Sequence, residues 1–294
     1  MPLKTQAWDH YWESNATLNS FAFDYSATEG PYKRINEFWV RAFEEFTPSD
    51  TIVDLGAGNG ALVHLFLQSK GLQNIEKWLN IDSAKAIARI EHFTVIYQQD
   101  DMCKLSLSDN SVNQFVSMFG LEYGDFAQTI PHLYRCLRLG GRFHFILHHQ
   151  DSIVSKQSQV TINVIEKVLA SNLLNNLTQF VNIGKLKAHL LLGLNQTLQS
   201  VEGYALDDVK IIGKGIYNII QSSKDLTSKV DMLLSLKKDM LWQVERLQQQ
   251  LAGAQQVKLL STFLHDNGFN EFYMTPVSYE NEILCWSLTG IKVK

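Results

Sequence analysis

Three glycines and two carboxylates make up the part of the sequence best suited to hold a ligand. Gly56, Gly58 and Gly60 follow a short apolar segment, Asp54 stands two residues before the first of them, and Asp82 ends a second apolar segment. Glycine permits positive φ and lets the backbone approach a ligand closely. A carboxylate at the end of a neighbouring strand can accept hydrogen bonds from both hydroxyls of a ribose. The pattern therefore predicts a site for a nucleoside-containing ligand.

The glycine pattern alone leaves the choice of ligand open. Its spacing, Gly56-x-Gly58-x-x-Ala61, also satisfies the fingerprint of dinucleotide sites, and Asp82 would suit NAD and S-adenosylmethionine equally. Asp54 favours S-adenosylmethionine, because a carboxylate there would attract the cationic amino-acid end of that cofactor and repel a pyrophosphate. An NAD-dependent oxidoreductase is the alternative, which a nicotinamide titration would test.

The elements that must position these residues alternate between strand and helix from residue 51 to residue 148. Strands are predicted at residues 51–55, 77–81, 93–98, 114–119 and 142–148, and helices at residues 61–70, 83–90 and 126–137. This alternation requires a parallel sheet with crossover helices, which is a doubly wound α/β fold. Two further strands, at residues 271–279 and 283–291, are joined by so short a turn that they must be antiparallel. We expect a Rossmann-like sheet of seven strands with N-terminal helices and a large helical insertion.

Three regions follow from this pattern. Residues 1–50 are rich in aromatic side chains, and the apolar spacing between Tyr32 and Phe46 predicts an amphipathic helix, so we interpret this region as a helical lid. Residues 51–150 and 257–294 form the α/β core, which includes a helix at residues 257–265. Residues 151–256 have helical patterning, and we interpret them as an insertion that either covers the acceptor or forms a dimer interface.

Several short motifs together resemble the class I S-adenosylmethionine-dependent methyltransferase family, and most closely its small-molecule branch. They are residues 53–60 (Val-Asp-Leu-Gly-Ala-Gly-Asn-Gly), 80–82 (Asn-Ile-Asp), 101–105, 109–111, 117–123 and 137–142. The resemblance extends over residues 51–149, and the final helix and hairpin are consistent with it. It implies S-adenosylmethionine as the cofactor and methyl transfer to an oxygen, nitrogen or carbon atom of a small molecule.

The resemblance also implies which residues hold the cofactor. They are Asp54, Gly56, Ala57, Gly58, Asp82, Ser83, Asp101, Met102 and Phe119. Asp82 would bind the ribose hydroxyls, Asp101 would accept from the adenine amino group beside Met102, and Phe119 would line the methyl-transfer pocket.

Two details of these motifs stay open in the sequence. Asp101 follows another acid, Asp100, and could instead cap a turn. Family members usually carry aspartate where Asn113 stands before the fourth strand, a position that supports the fold more than it touches the ligand.

Side chains that act on the acceptor are predicted near the ends of the fourth and fifth strands. A sulfonium cofactor supplies the electrophile, so the protein must align the acceptor, exclude water and, for a hydroxyl acceptor, remove a proton. His148 or His149 could be that base, unless the pair is simply a polar strand end. The predicted substrate-binding residues are Tyr11, Trp12, Tyr25, Glu122 and Tyr123.

Composition and charge disfavour several classes of protein. The 294 residues are 45% hydrophobic and carry a net charge of −4, so we expect a folded protein without a nucleic-acid partner. Three widely spaced cysteines argue for free thiols, without a disulfide frame or a metal site. The apolar segments suit neither a signal peptide nor a membrane span, so we expect a cytoplasmic protein without a membrane partner.

The alternatives to a small-molecule methyltransferase are a methyltransferase acting on protein or RNA and a non-catalytic S-adenosylmethionine-binding partner subunit. The insertion could also form a homodimer.

Overall fold

The computed structural model describes residues 2–14, 29–70, 75–85, 90–92, 94–171, 174–178 and 205–294. Contacts within the chain divide it into two compact units. The first comprises Met1–Ser155 and Gln249–Lys294, and the second comprises Lys156–Gln248.

A seven-stranded sheet lies in the first unit. Its strands are β1 (Thr51–Leu55), β2 (Lys77–Asp82), β3 (Val95–Gln99), β4 (Val112–Met118), β5 (Leu137–Leu147), β6 (Glu271–Tyr279) and β7 (Glu282–Ile291). Their order in the sheet is β3-β2-β1-β4-β5-β7-β6, in which β7 is antiparallel to β5 and β6 and all other pairs are parallel. The prediction of a doubly wound, Rossmann-like sheet that ends in an antiparallel hairpin is confirmed. The strand order reverses between β1 and β4, and ligands of such sheets bind in the crevice at that point.

Helices precede, connect and interrupt these strands. The principal ones are α1 (Pro2–Ser14), α2 (Gly30–Glu44), α3 (Ala61–Lys70), α4 (Phe126–Cys136), α5 (Ile153–Ala170), α6 (Ala205–Gln221), α7 (Leu226–Gln256) and α8 (Leu260–Asp266). The predicted helix at residues 83–90 includes residues outside the described part of the chain. No described helix is both long enough and apolar enough to cross a lipid bilayer.

Packing on the sheet follows the alternation of side chains along its strands. In β1, Val53 and Leu55 join one apolar cluster, which α4 and α8 complete, and Ile52 joins another, which α2 and α3 complete. The predicted amphipathic helix is α2, whose buried face carries Trp39 and Phe43. The sheet is therefore covered on both faces, as parallel strands require.

The boundary between α4 and β5 differs from the sequence prediction. The sequence predicts a helix through Leu137 and then a glycine turn, whereas α4 ends at Cys136 and β5 starts at Leu137. The glycine segment forms an irregular strand because Gly140 N donates to Lys292 O at 2.7 Å and Lys292 N donates to Gly141 O at 2.9 Å. Local patterning cannot reveal this, since the partner lies at the far end of the chain.

The second unit is helical in its described residues, 156–171, 174–178 and 205–248. Its helices bury apolar side chains at helical spacing, such as Ile162, Ile165 and Leu233. Lys237 Nζ donates to Asn175 Oδ1 at 3.0 Å within this unit.

Lys292, just after β7, fastens the carboxyl-terminal segment to the end of α4. Its Nζ donates to Tyr134 O at 2.7 Å, Leu137 O at 2.8 Å and Asn110 Oδ1 at 3.2 Å. The ammonium also lies 4.4 Å from the centre of the Tyr134 ring. Removal of the ammonium would leave buried carbonyl groups without a donor.

We expect Lys292→Met to lower the free energy of unfolding by about 2 kcal/mol, because charged hydrogen bonds to buried groups are lost. Urea unfolding followed by circular dichroism would measure the change. Lys258→Met removes an exposed lysine and should change stability by less than about 0.5 kcal/mol. Equal stability of the two variants would contradict the role assigned to Lys292.

Candidate functional site

The glycine loop joins β1 to α3 in a conformation that glycine adopts readily. Gly56 and Gly58 have φ of +68° and +50°, a region that other residues rarely occupy. The loop is tied to β2, because Gly56 N and Ala57 N donate to Ile81 O at 2.9 and 3.1 Å. Gly58 N donates to Asp82 Oδ2 at 2.8 Å. The loop and the end of β2 therefore form one rigid platform.

Asp82 keeps acceptor capacity for a ligand although its carboxylate already orders two turns. Oδ2 accepts from the glycine loop, and Oδ1 accepts from Ala84 N at 2.8 Å, but each oxygen has a further lone pair. Burial raises the pKa of Asp82, the hydrogen bonds from the backbone of Ala84 and Gly58 oppose this in part, and the negative charge of Asp9 in α1 adds to the increase. Ser83 is exposed, and its carbonyl accepts from Gln99 Nε2 at 3.1 Å.

Asp54 is a buried carboxylate at the end of β1. It is 1% exposed, and no donor or cation pairs with it among the residues that the structure describes. Burial, and then the negative charge of Asp82, hold the pKa of Asp54 well above its ordinary value. A cationic ligand group would favour the ionised form. This environment fits S-adenosylmethionine, which has positive amino and sulfonium groups, better than a dinucleotide.

The two consecutive acids after β3 have different environments. Asp100 accepts from Gln98 Nε2 and from the amide and hydroxyl of Ser106 at 2.7 to 3.2 Å. Partial burial raises the pKa of Asp100, but these hydrogen bonds lower it by more, so the pKa lies below its ordinary value. Asp101 is exposed and caps the next 3₁₀ turn with one hydrogen bond of 2.9 Å. Asp101 thus has more spare acceptor capacity, and with Met102 it stays the predicted adenine contact.

The end of β4 turns directly onto the glycine loop. Phe119 has φ of +58°, a left-handed conformation that ends the strand. A Cβ on Gly56 would lie 2.7 Å from Gly120 Cα, so the two segments can meet only through glycine. Ser117 Oγ donates to Leu55 O at 2.7 Å and accepts from the backbone of the turn at 2.9 Å. Phe119 is thereby fixed beside the predicted cofactor loop.

Glu122 and His148 form a buried pair at the ends of β4 and β5. Glu122 Oε1 accepts from His148 N at 2.8 Å and from His148 Nδ1 at 2.6 Å. The two residues are 0% and 1% exposed. The ring centres of His148 and Phe119 are 4.5 Å apart. The sequence predicts Glu122 to bind the substrate, whereas its carboxylate contacts the predicted base.

His149 lies next to this pair in a different environment. Its Nδ1 accepts from Asp151 N at 3.0 Å, and its ring centre lies 4.5 Å from that of Trp286. Burial lowers the pKa of His149, and the charge of Asp151 opposes this only in part. The two predicted bases are therefore not equivalent.

Aromatic residues of α1 lie over the glycine loop. The Trp12 indole packs on Gly58, where a Cβ would collide with it. The Trp8 ring centre lies 6.3 Å from that of Trp12 and 5.1 Å from that of Tyr123. The Tyr123 ring in turn lies 6.2 Å from that of His148. We call Trp12, Trp8 and Tyr123 the aromatic layer, which extends from the glycine loop to the predicted base.

The remaining predicted residues are less closely tied to this site. Tyr11 packs edge-on against Trp12, with ring centres 5.0 Å apart. Tyr25 lies outside the described residues. Asn113 Oδ1 accepts from Thr51 N at 3.0 Å at the start of β1, a contact that supports the fold.

Sequence reasoning missed the residues that anchor α1 to the core. Trp8 Nε1 donates to Gln249 Oε1 at 3.0 Å, and Asp9 Oδ1 accepts from Lys85 N at 2.6 Å. Their residue types are visible in the sequence, but no local spacing connects α1 with segments so distant along the chain.

Comparison with known families identifies the class of protein that this fold and site define. Residues 53–145 match the family described as Methyltransferase domain. Residues 53–145 therefore form a methyltransferase domain of the S-adenosylmethionine-dependent kind, and the cofactor of this domain is S-adenosylmethionine. The predicted family and cofactor are thereby confirmed.

Solved structures with similar architecture include several methyltransferases. An S-adenosylmethionine dependent methyltransferase from Mesorhizobium loti is 25% identical, covers 39% of this chain and 54% of its own, and has a TM-score of 0.34. Geranyl diphosphate C-methyltransferase from Streptomyces coelicolor is 18% identical over 50% of this chain and 65% of its own, with a TM-score of 0.36. The YcgJ protein from Bacillus subtilis is 12% identical over 88% of this chain and 99% of its own, also with a TM-score of 0.36. The chain spans less than two thirds of the length of the first two structures. Comparison with curated protein sequences gave no match.

The environment of Asp54 predicts how cofactor binding depends on pH. Because the pKa of Asp54 is raised in the free protein, a fraction of the molecules keep this carboxyl group protonated at pH values where an ordinary aspartate is ionised. A bound cation favours the ionised form, so binding should release a proton. We expect the affinity for S-adenosylmethionine to fall as the pH drops through the raised pKa. Calorimetry in buffers of different ionisation enthalpy would measure both effects.

We expect Asp54→Asn to weaken cofactor binding by about tenfold or more and to abolish the proton release, because a charge-assisted contact is lost. The same change should stabilise the free protein at neutral pH, since an aspartate whose folded pKa is raised loses stability as the pH rises above its unfolded pKa. Asp266→Asn, at a side chain that is 67% exposed, is the matched control. Full cofactor affinity in Asp54→Asn would show that Asp54 does not face a cation.

Proposed function

We propose that the protein transfers a methyl group from S-adenosylmethionine to a small-molecule acceptor. The observation that carries this proposal is the aromatic layer, which extends from Gly58 to His148 and which we interpret as a cover over the crevice. A covered site can exclude water and align a small acceptor with the methyl group. A protein or RNA chain would need a more open approach to the same edge of the sheet.

The side chains around the glycine loop support binding of the cofactor. Asp54 would face its cationic groups, Asp82 its ribose hydroxyls, and Asp101 with Met102 its adenine ring. The bound cofactor supplies a methyl group on a positively charged sulfur. The oriented His148 beside Phe119 supports catalysis, because a subunit that only binds the cofactor has no need of such a pair.

The helical unit, Lys156–Gln248, is our candidate for the part that selects the acceptor. This role follows the interpretation of residues 151–256 as a cap, and a homodimer interface is the alternative. Sedimentation of the full chain distinguishes the two, because a monomer would exclude the dimer interface. We further propose a cytoplasmic protein without nucleic-acid or membrane partners.

An acceptor screen with methyl-labelled S-adenosylmethionine tests this function. Parallel assays would contain phenols, amines, thioethers and carboxylic acids, and also total protein and total RNA. Label in small molecules supports the proposal. Label only in protein or RNA would replace it with the macromolecular alternative, and cofactor binding without any transfer would indicate a non-catalytic subunit.

A separate prediction about ligand binding follows from the aromatic layer. Trp12→Ala should weaken binding of S-adenosylhomocysteine by about tenfold, because a large aromatic cover over the glycine loop is lost. Trp12→Phe keeps an aromatic ring and should retain most of the affinity in the same calorimetric titration. Tighter binding to the alanine variant would mean that α1 obstructs the site, contrary to the proposal.

A further inference from the structure

His148 and His149 are consecutive, yet their hydrogen bonds select opposite ring tautomers. The Glu122 carboxylate can only accept, so its 2.6 Å contact makes His148 Nδ1 the donor and leaves the lone pair of the neutral ring on Nε2. His149 Nδ1 accepts from Asp151 N, so the hydrogen of its neutral ring is on Nε2. Of the two rings, only that of His148 has the tautomer in which Nε2 can accept a proton.

Several contacts orient Glu122 so that its carboxylate interacts with His148. Its Oε1 accepts from both His148 N and Nδ1. Gln256 of α7 fixes the backbone of the turn, because its Nε2 donates to Glu122 O at 2.5 Å and to Gly124 O at 3.0 Å. Oε2 is buried and makes no hydrogen bond within the described part of the chain. A buried carboxylate in this arrangement would stabilise the imidazolium that forms when His148 takes up a proton.

The pair is also close to the predicted position of the methyl group. Phe119 packs against the His148 ring at 4.5 Å between centres. The next residue, Gly120, contacts Gly56 of the glycine loop. Phe119 and Gly120 therefore connect the imidazole with the glycine loop.

The other titratable groups around the pair do not replace it. Tyr123 is on the same turn as Glu122, with its ring 6.2 Å from that of His148. Cys285 of β7 is buried, and both burial and the charge of Glu122 raise the pKa of its thiol, which keeps it protonated. His149 on the same strand end is neutral for the reasons given above. Glu122 is thus a charged group in direct contact with His148.

We infer that His148 is the general base for an acceptor with an aromatic hydroxyl group, and that Glu122 is its positioning residue. This inference rests on the proposed methyl transfer. His148 Nε2 removes the hydroxyl proton, the oxygen bonds to the methyl carbon, and the carbon–sulfur bond breaks with its electron pair left on sulfur. Positive charge thereby moves from sulfur to the imidazole, where the Glu122 carboxylate balances it.

The acceptor class follows from the strength of the base and from the walls of the site. An imidazole removes a proton more readily from a phenol than from an aliphatic alcohol. Phe119, Trp8 and Tyr123 offer aromatic faces against which a flat ring can pack. Thioethers and tertiary amines have no proton to lose, so they would need neither His148 nor Glu122.

The test compares acceptors that differ in whether a proton must be removed. The full-length wild type, His148→Gln and Glu122→Gln are assayed with S-adenosylmethionine and with 4-methoxyphenol, 4-nitrophenol or thioanisole. At mildly alkaline pH the first phenol is protonated, the second is mostly ionised, and the thioether has no proton to lose. The glutamine at position 122 can still accept from His148 but has no charge. His265→Gln and Glu44→Gln, at exposed positions, are matched controls.

We expect both variants to lose about 100-fold in kcat with 4-methoxyphenol, with much smaller losses for 4-nitrophenol and little change in cofactor affinity or acceptor KM. Equal losses with both phenols would mean a structural role and overturn the inference. Methylation of thioanisole without methylation of either phenol would also overturn it, while methyl transfer itself stands. Absence of transfer to every acceptor, despite cofactor binding, would instead defeat the proposed function.

A second measurement does not depend on finding an acceptor. Nitrogen-15 spectra of histidine-labelled protein should show His148 protonated at Nδ1 and His149 protonated at Nε2, assigned with the single glutamine variants. In Glu122→Gln the His148 signals should respond and those of His149 should not. Protonation of His148 at Nε2 in the neutral ring would overturn the inference.

Discussion

The close contact between the backbones of Gly56 and Gly120 sets the geometry on which the rest of the site depends. It joins the loop after β1 to the turn after β4, so the predicted cofactor loop and the side chains predicted to act on the acceptor belong to one edge of the sheet. Ser117 reinforces this edge by bridging the two segments. Phe119 and Glu122 leave the same turn, and Glu122 reaches across to His148 at the end of β5. Any side chain at either glycine would push these groups apart.

Buried negative charge is the second constraint on the site. Asp54 lacks a counter-charge in the described part of the chain, and Glu122 has only His148. A buried carboxylate is costly to keep ionised unless a positive charge comes close. A sulfonium cofactor would supply that charge to Asp54, and a proton taken from an acceptor would supply it to Glu122. In the proposed reaction the positive charge moves from the first carboxylate toward the second.

Much of the fold could be predicted from the sequence, because strands and helices have distinct periodicities. The glycine loop, Asp82 at the end of β2 and the antiparallel hairpin each follow from a local pattern. The segment at Gly140 and Gly141 could not be predicted, because Lys292 from the chain terminus makes it part of β5. The anchoring of α1 through Trp8 and Asp9 was invisible for the same reason. Predictions failed where the deciding partner is remote in sequence.

The sequence by itself determined the likeness to a methyltransferase domain and the positions of the acids and histidines that could do chemistry. Glycine spacing and strand-end carboxylates are local properties, since they depend on φ preferences and on the order of the chain. Only the tertiary structure distinguished Asp100 from Asp101 and His148 from His149. The side-chain type is the same within each pair, and what differs is the set of hydrogen bonds. For His148 the deciding hydrogen-bond partner is Glu122, which is 26 residues away and meets it only because β4 and β5 are neighbours in the sheet.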